Sequence, residues 1–336
     1  MKKRLSILIR TSGGLAPKKQ LGFGHIYRSI NLADQLKPNK IHFLVEDFGG
    51  AKGIITTRGY RNVNSLKKEI SLEADITETL NIIKKEGIDI LIIDRYKLKN
   101  QYVRALTKIV KTVVISDLRI IDFPAHLVIN GFIGFSNQIK INRFGTKCVL
   151  GPKYQILNKN FIKKIESEKI TTVLATFGGF DENNIIEMFL DSAESYLDSI
   201  KMKIILGPGT NRSRKIITFE RKYKKNLTIV QKTNLMHKEI AHAKFGICSG
   251  GITSYEFAAF NVPFAIVSQV RHQLITSRQW EKRKLAYDLG LAGRLTKKRI
   301  SVYLNRIMKN KIKLQNLNLV DGFGSERVAN EILKLA

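Results

Sequence analysis

The chain alternates between short apolar runs and longer amphipathic segments. In the first half, the apolar runs cover residues 5–9, 41–46, 90–94, 112–116, 127–130 and 148–151, and the amphipathic stretches include 26–37, 72–86 and 99–109. Uninterrupted Val, Ile and Leu are typical of strands that are buried on both faces of a sheet. Helices between such strands indicate parallel βαβ units. The first half is therefore predicted to be a doubly wound α/β domain.

The pattern pauses around Gly151-Pro152-Lys153-Tyr154 and restarts after a basic stretch that ends near Lys169. The second half then shows strand-like runs at 170–179, 202–209, 227–231, 245–251 and 263–269, with helices predicted at 182–197, 235–243, 252–260 and 273–289. We predict two Rossmann-like domains, at 1–155 and 165–320, which face each other across a cleft. Ligands of such sheets bind beyond the carboxyl ends of the strands, so the loops that follow strands are the candidate sites.

Bulk composition agrees with a two-domain globular protein. The 336 residues are 43% apolar and 26% charged, and no apolar run approaches the roughly 18 residues that span a bilayer. The apolar run Leu5–Ile9 is short and lacks a small-residue cleavage site, so we interpret it as a buried strand and not as a signal peptide. Cys148 and Cys248 lack the spacing of a disulfide framework or a zinc site. The cytoplasm is the expected compartment.

The net charge of +30 narrows the class of partner. Of the 58 basic residues, 26 lie before Gly151, so they form no tail or single block. No basic patch interleaved with aromatic residues and no nucleic-acid-binding module is present, so a nucleic-acid partner is not predicted. Attraction of anionic substrates, or peripheral contact with an anionic membrane surface without stable insertion, agrees better with this composition.

Two glycine turns follow predicted strands in the second half. Gly178 and Gly179 lie in FGGFD, and Gly250 and Gly251 lie in SGGITSYE at the start of a helix. Glycine allows the backbone to approach a ligand closely, and the N–H groups at a helix N-terminus attract phosphate. Thr253 would add a hydroxyl donor, and Glu256 would accept hydrogen bonds from a sugar diol such as ribose. The alternative is that each Gly-Gly pair only forms a tight turn.

Neither turn has the spacing of a P-loop or of a dinucleotide fingerprint, so a nucleoside diphosphate is favoured over a dinucleotide.

A histidine lies between the first predicted strand and the first helix, in Gly22-Phe23-Gly24-His25. The ordinary pKa of histidine, near 6.5, suits proton transfer, although a purely structural role is the alternative. Arg28 lies on the same side of the helix, where it would pair with a carboxylate or hold the loop.

Carboxylates also follow two other strands of the first domain, at Asp94 and Asp117, although either of them could serve only as a helix cap. No HExxH or GxSxG motif is present, so neither a zinc peptidase nor a common serine hydrolase is predicted.

Several segments together resemble one family. Gly-x-Gly-His-x-x-Arg at residues 22–28 is similar to the motif of the UDP-sugar hydrolases of the pseudaminic acid pathway, which have a GT-B fold like that of MurG. The resemblance extends to LIIDRYKL (91–98), VVISDLR (113–119), LGPKYQILNKNF (150–161), TFGGFDENN (176–184), NLMHKEIAHAKFGICSGGITSYE (234–256) and DGFGSERVANEI (321–332).

The resemblance implies a role for each matching residue. His25 would be the general base that activates water against the anomeric carbon, and the substrate-binding residues would be Gly24, Arg28, Tyr96, His272 and Gln273. UDP would be bound by Gly178, Gly179, Leu235, Met236, Ser249, Gly250, Gly251, Thr253 and Glu256. No cofactor or metal is implied, and residues 321–336 would form a helix that crosses back to the first domain.

Two departures from the family pattern lie beside the implied sugar site. His272 stands where the family usually has Asn, and the first loop, SGGLAPKKQ at 12–20, is longer than usual. The leading hypothesis is hydrolysis of a UDP-linked 2,4-diacetamido-trideoxy sugar to free sugar and UDP. The alternative is a glycosyltransferase that passes the sugar to a hydroxyl acceptor, and a nucleic-acid-binding protein is a third, less favoured hypothesis.

Overall fold

The computed structural model describes residues 4–15, 22–162, 168, 170–181, 183–312, 314–315 and 318–336. The chain divides into two compact units. Unit 1 comprises Met1–Lys159 and Gly322–Ala336, and unit 2 comprises Asn160–Asp321. Part of the longer first loop (16–21) and part of the predicted linker (163–167 and 169) lie outside the described residues.

Unit 1 is built on one twisted sheet. Its strands are β1 (Ser6–Gly13), β2 (Lys40–Asp47), β3 (Val63–Leu66), β4 (Ile90–Asp94), β5 (Lys111–Ile115), β6 (Leu127–Asn130), β7 (Gln138–Ile141) and β8 (Lys147–Leu150). Its helices are α1 (Gly24–Gln35), α2 (Ala51–Thr57), α3 (Leu72–Glu86) and α4 (Asn100–Thr107), together with the C-terminal helix α11 (Gly324–Leu333).

Among the described residues the strand order of this sheet is β3-β2-β1-β4-β5-β6-β8-β7. All neighbours pair in parallel except β7 and β8.

Unit 2 repeats the doubly wound arrangement. Its strands are β9 (Thr171–Thr176), β10 (Met202–Leu206), β11 (Leu227–Gln231), β12 (Ala243–Ser249), β13 (Phe264–Ser268) and β14 (Ala286–Leu291). Its helices are α5 (Ile185–Ala193), α6 (Arg214–Lys222), α7 (Met236–Ala241), α8 (Ile252–Ala259), α9 (Arg271–Lys282) and α10 (Lys297–Met308).

Among the described residues of unit 2 the order is β11-β10-β9-β12-β13-β14, and every neighbouring pair is parallel. The prediction of two doubly wound α/β domains is confirmed.

One predicted helix is wrong at its end. The sequence pattern predicts a helix over 273–289, whereas α9 ends at Lys282 and Ala286–Leu291 form the edge strand β14. Lys284 turns the chain with a φ of 56°, and the pairing of Ala286 with Phe264 then extends the sheet. The two buried residues of β14, Ala286 and Leu289, are three positions apart, which is a helical spacing and not the alternation expected of a strand. The sequence pattern also did not predict α2, β3, β7, α6 or α10.

The C-terminal helix belongs to unit 1, where it packs against α1. The first residue of α11, Gly324, lies so close to the backbone of Gln155 that an added Cβ atom would be 2.0 Å from the Gln155 carbonyl oxygen. The hydroxyl of Ser325 donates to the carbonyl oxygen of Leu157. Glycine is therefore needed here for close packing, and α11 is fixed to unit 1 at its N-terminal end.

A cluster of four charged side chains lies between the sheet of unit 1 and helix α3, which contains Asp75. Arg10, in the middle of β1, is fully buried and binds Asp75 through two hydrogen bonds, Nε to Oδ1 at 3.0 Å and Nη2 to Oδ2 at 2.7 Å. Glu46 and Arg95 complete the cluster through ion pairs with Arg10 and Asp75. Burial alone would raise the pKa of Asp75, but the Arg10 guanidinium holds it below its ordinary value.

The Arg10→Met substitution should lower the free energy of unfolding by about 3–5 kcal/mol, because Asp75 and Glu46 would keep only one cation between them. Urea unfolding followed by circular dichroism would measure the loss. The control is Lys222→Met, which breaks an exposed ion pair with Glu194 and should change stability little. Equal effects of the two substitutions would contradict a stabilising role for the buried cluster.

Candidate functional site

Among the described parallel strands, the strand order reverses at one place in each sheet. In unit 1 the reversal lies between β1 and β4, and in unit 2 it lies between β9 and β12. Loops that leave the carboxyl ends of two such strands run to opposite faces of the sheet and open a crevice between them, which is where open α/β sheets bind ligands. The loops at these positions contain His25 and Asp94 in unit 1, and both glycine turns in unit 2.

In unit 1, His25 lies in the first turn of α1 and contacts the end of β4. Its Nδ1 atom is 2.7 Å from Oδ1 of Asp94, the last residue of that strand. Asp94 is fully buried, whereas 18% of the His25 side chain is exposed. Ile90 and Ile92 pack in the core beneath α1. Because side chains alternate along a strand, Asp94 points to this same face.

Arg28 holds Asp94 in its ionised form. Its Nε atom donates to Asp94 Oδ2 at 2.9 Å, and Nη1 donates to Asp117 Oδ1 at 2.6 Å. Burial opposes ionisation of Asp94, but the charge of Arg28 and then that of His25 hold the pKa of this carboxyl well below its usual range. The Asp94 carboxylate is therefore charged near neutral pH.

An ionised Asp94 selects the tautomer of His25. A carboxylate can only accept, so the 2.7 Å contact places the proton on Nδ1 and leaves the lone pair on Nε2. Arg28 Nη2 also lies 3.1 Å from Nδ1, but because a guanidinium can only donate, this longer approach is not a hydrogen bond in that tautomer. A neutral imidazole oriented in this way can take a proton at Nε2 and pass it on, as a general base does.

The unit 1 residues that were predicted to bind the substrate belong to α1 or follow β4. Gly24 is the first residue of α1, and Arg28 is nearly buried in its ion pairs with both aspartates. Tyr96 follows β4 by two residues and is half-buried, with the Lys97 ammonium 5.3 Å from the centre of its ring.

Sequence reasoning noted Asp94 and Asp117 only as strand-end carboxylates and did not include them in the site. The available signal was their position directly after apolar strands.

In unit 2 the two glycine turns lie side by side. An added Cβ atom on Gly178 would be 3.2 Å from Ser249 Oγ, and one on Gly250 would be 2.9 Å from Gln273 Cβ. The loop after β10 also joins them, because Gly209 N–H donates to the Gly179 carbonyl at 2.8 Å. The structure thus brings together Gly178, Gly179, Ser249, Gly250, Gly251 and Gln273, which were predicted from separate parts of the sequence.

These glycines are required for different reasons. Gly178 has a φ of 87°, which L side chains rarely adopt. Gly207, which sequence reasoning missed, and Gly250 are crowded, since an added Cβ on Gly207 would be 2.0 Å from the Gly178 oxygen. Neither reason applies to Gly251, because its φ is −92° and an added Cβ would meet only Gln273 Nε2, at 4.0 Å. At Gly251 the small size leaves open space beside the N-terminus of α8.

Glu256 lies one turn into α8 and is partly buried. Desolvation raises the pKa of its carboxyl to about 7, although a hydrogen bond with Thr253 acts in the opposite direction. Its charge therefore changes near neutral pH, and hydrogen-bond donors placed beside it would favour the ionised form.

The remaining predicted residues of unit 2 lie at helix N-termini. Leu235 precedes α7 and is 48% exposed, and Met236 is the first residue of that helix. His272 and Gln273 lie in the first turn of α9. Gln273 Oε1 accepts from the Gln269 N–H at 2.9 Å, which orients the Gln273 amide. Helix α7 packs against α8. Leu235 and Met236, at the N-terminus of α7, therefore belong to the helix that neighbours the one carrying Glu256.

Comparison with solved structures defines the fold. MurG of Acinetobacter baumannii superposes with a TM-score of 0.66 at 14% identity over 98% of this chain and 99% of that one. The UDP-GlcNAc 2-epimerase of Neisseria meningitidis bound to UDP-GlcNAc gives 0.63 at 9% identity over 98% and 100%. The chain has the GT-B fold.

Sequence comparison adds two relatives. The spore coat polysaccharide biosynthesis protein SpsG of Bacillus subtilis (strain 168) is 27% identical over 331 residues, which cover 91% of this chain and 93% of that protein. The uncharacterized protein MJ1062 of Methanocaldococcus jannaschii is 22% identical over 289 residues, 79% of this chain but only 56% of that protein. No family model matches the chain.

Within the part of the chain that the structure describes, no group of three or more His, Cys, Asp or Glu side chains could hold a metal ion. No helix among the described residues has the length and apolar character needed to cross a bilayer.

Glu256→Gln should make stability less dependent on pH. Because the pKa of Glu256 is raised to about 7 in the folded state, ionisation is easier in the unfolded chain, whose ordinary glutamate pKa is about 4.3. The wild type should therefore lose stability as pH rises from about 4 to about 7, and Glu256→Gln should lack this loss. Urea unfolding at pH 5 and pH 8 would measure it, with exposed Glu78→Gln as the control. A wild type that gained stability relative to Glu256→Gln between pH 5 and 8 would contradict the raised pKa.

Proposed function

We propose that this protein is an enzyme that acts on a UDP-linked sugar in polysaccharide biosynthesis. Unit 2 binds the UDP part, and His25 of unit 1 is the general base. The observation that carries the proposal is the 2.7 Å contact between His25 Nδ1 and a buried, ionised Asp94 at the switch point of the first sheet. The relatives support the substrate class, since one is named for polysaccharide biosynthesis and one structural neighbour was solved with UDP-GlcNAc.

The proposed reaction is hydrolysis. Water attacks the anomeric carbon and gives up its proton to His25 Nε2, while the bond between that carbon and the phosphate oxygen breaks and UDP departs with the electron pair. The backbone N–H groups at the N-terminus of α8 and in the glycine turns stabilise the charge that develops on the diphosphate. Glu256 accepts hydrogen bonds from the ribose hydroxyls, and Leu235 and Met236 lie against the uracil.

For the sugar, the resemblance of residues 22–28 and of the later segments to the UDP-sugar hydrolases supports a 2,4-diacetamido-trideoxy sugar of nonulosonic acid biosynthesis. Gly24, Arg28, Tyr96, His272 and Gln273 are proposed to contribute to its site. Arg28 acts through Asp94, because its guanidinium is already engaged by two carboxylates. His272 replaces the Asn usual in that family, so the sugar preference of this protein is expected to differ.

A glycosyltransferase is the second candidate, since a solved structure with the same fold, at 10% identity and a TM-score of 0.62, is described as a glycotransferase. The same histidine would then deprotonate an acceptor hydroxyl in place of water. Incubation with a panel of UDP-sugars and no acceptor distinguishes the two reactions. Release of UDP together with free sugar supports hydrolysis, and release of UDP only after an acceptor is added supports transfer. Release of no UDP from any sugar, with or without acceptor, would contradict both.

His25→Asn is expected to lower kcat by about 10²–10⁴-fold, the usual contribution of a positioned general base. The affinity for UDP should barely change, because the nucleotide is assigned to unit 2. The wild-type rate should also fall on the acid side, where His25 takes up a proton, and this limb should be absent from the variant. Steady-state kinetics across pH and calorimetry with UDP would measure both effects.

The matched control is His126→Asn. His126 Nδ1 accepts a hydrogen bond from the Thr112 N–H at 3.1 Å in the same unit. His126 directly precedes β6, so it lies at the amino ends of the strands, whereas His25 lies at their carboxyl ends. Replacement of His126 should leave kcat within a few-fold of wild type. If His25→Asn turned over at a near-normal rate, His25 would be a structural loop residue and the proposed base would be wrong.

Gly251→Val should abolish UDP binding without unfolding the protein. The φ of −92° is open to L residues and the added side chain meets open space, so the fold should tolerate it, but a β-branched group would fill the place assigned to the diphosphate. Calorimetry with UDP and thermal unfolding would separate the two effects. Gly53→Val, at another glycine with nothing within 4 Å of an added Cβ, is the control. Normal UDP affinity in Gly251→Val would show that this loop is only a turn.

A further inference from the structure

Gln269 connects the loop after β13 to the first glycine turn of unit 2. Its Nε2 atom donates to the carbonyl oxygens of Phe177, at 2.8 Å, and of Phe180, at 3.3 Å. These two residues flank Gly178 and Gly179 directly. One side-chain amide therefore holds both ends of the turn.

The same residue is also tied to the second glycine turn. The Gln269 N–H donates to Gln273 Oε1 at 2.9 Å, and Gln273 packs so closely on Gly250 that an added Cβ would be 2.9 Å from its own Cβ. The segment from Gln269 to Gln273 thus touches the loops after both β9 and β12, which are the two strands at the switch point of the sheet.

Of the two polar atoms of the Gln269 side chain, only the amide nitrogen forms hydrogen bonds within the described residues. Gln269 Oε1 is buried and has no hydrogen-bond partner among the described residues. A buried acceptor without a donor costs folding free energy, which a methionine of similar size would not. Buried polar atoms that lack a partner are uncommon and call for an explanation, and here the two hydrogen bonds from Nε2 to the turn provide one.

Holding the two carbonyl groups also orients N–H groups. A peptide unit is planar and trans, so its C=O and N–H bonds point in opposite directions. With the Phe177 oxygen bound to Gln269, the Gly178 N–H must point away from Gln269. Gly178 has a φ of 87° in a two-glycine segment, where the backbone has more freedom than elsewhere, so an external contact is needed to keep that direction.

We propose that Gln269 is a positioning residue, which aims the backbone N–H groups of the Phe177–Phe180 turn at the diphosphate and keeps the two glycine turns in register. This role rests on the proposed function, because it assumes that unit 2 binds a nucleoside diphosphate. Gln269 itself touches the turn and not the ligand. Its replacement should therefore weaken the binding of the phosphate groups and leave the binding of the nucleoside unchanged.

The test compares UDP and uridine as ligands in calorimetry. Gln269→Glu replaces the two donors by a carboxylate that repels the Phe177 and Phe180 oxygens, and Gln269→Met removes the amide altogether. Both variants should lose about tenfold to a hundredfold in UDP affinity, as expected for two lost hydrogen bonds. Their affinity for uridine should equal that of the wild type. The thermal stability of Gln269→Met should stay close to that of the wild type, because the substitution removes the unpaired Oε1 atom but also takes the donor from the Phe177 and Phe180 oxygens.

The matched control is Asn226→Asp in the same unit. Asn226 Nδ2 likewise donates to two carbonyl oxygens, those of Leu197 at 2.8 Å and Asp198 at 3.2 Å. Asn226 directly precedes β11, so these bonds lie at the amino ends of the strands, away from the glycine turns. This substitution makes the same chemical change as Gln269→Glu and should leave UDP affinity unaltered.

Each outcome of the experiment decides the proposal. A wild-type protein that does not bind UDP would overturn the proposed function and this role with it. If the wild type binds UDP and both Gln269 variants bind it equally well, the role of Gln269 alone is wrong. An equal loss for UDP and uridine would also overturn it, because that result indicates general damage to the unit. Should Gln269→Glu fail to fold, Gln269→Met gives the same comparison.

Discussion

The buried carboxylate of Asp94 is the interaction on which the candidate chemistry of this protein depends. An ion at the end of a buried strand is stable only if its charge is compensated, and Arg28 provides this through Nε at 2.9 Å. The same ionised group then determines which nitrogen of His25 carries the proton. The sheet, the helix and the proton-transfer group are therefore linked through one side chain, and Arg28 extends the link to Asp117 at the end of β5.

Both units place their candidate site where the strand order reverses, but the residues at the two positions suit different chemistry. Reversal of the strand order sends the loops after two adjacent parallel strands in opposite directions, so that their residues meet at the carboxyl edge of the sheet. In unit 1 this edge carries a histidine and ionised side chains, which are suited to moving a proton. In unit 2 it carries glycines and a helix N-terminus, which are suited to an anion. Gly207 and Gly250 allow these loops to pack closely, because an added Cβ atom would collide with a neighbouring loop or side chain. At Gly251 an added Cβ atom would meet open space, which is where we propose that the diphosphate binds.

Charge is arranged differently on the inside and on the outside of the protein. The net charge of +30 belongs mainly to exposed lysines and arginines, whereas the buried cluster of Arg10, Arg95, Asp75 and Glu46 is balanced. Asp94 and Arg95 are neighbours in the chain, so their side chains point to opposite faces of the sheet and join two separate networks. The end of β4 is thereby anchored on both faces, which keeps the Asp94 carboxylate in place.

The sequence alone determined the fold class, because runs of Val, Ile and Leu that alternate with helical patterns are typical of parallel strands buried on both faces. It also located β4, β6 and β11 at their observed bounds, and the glycine turns at strand ends. It could not distinguish edge strand β14 from a helix, since its buried residues Ala286 and Leu289 have the three-residue spacing of a helix face. Nor could it pair His25 with Asp94, or Gln269 with Phe177, which are 69 and 92 residues apart in the chain. Strand order brings these groups together, and strand order depends on how whole strands pack.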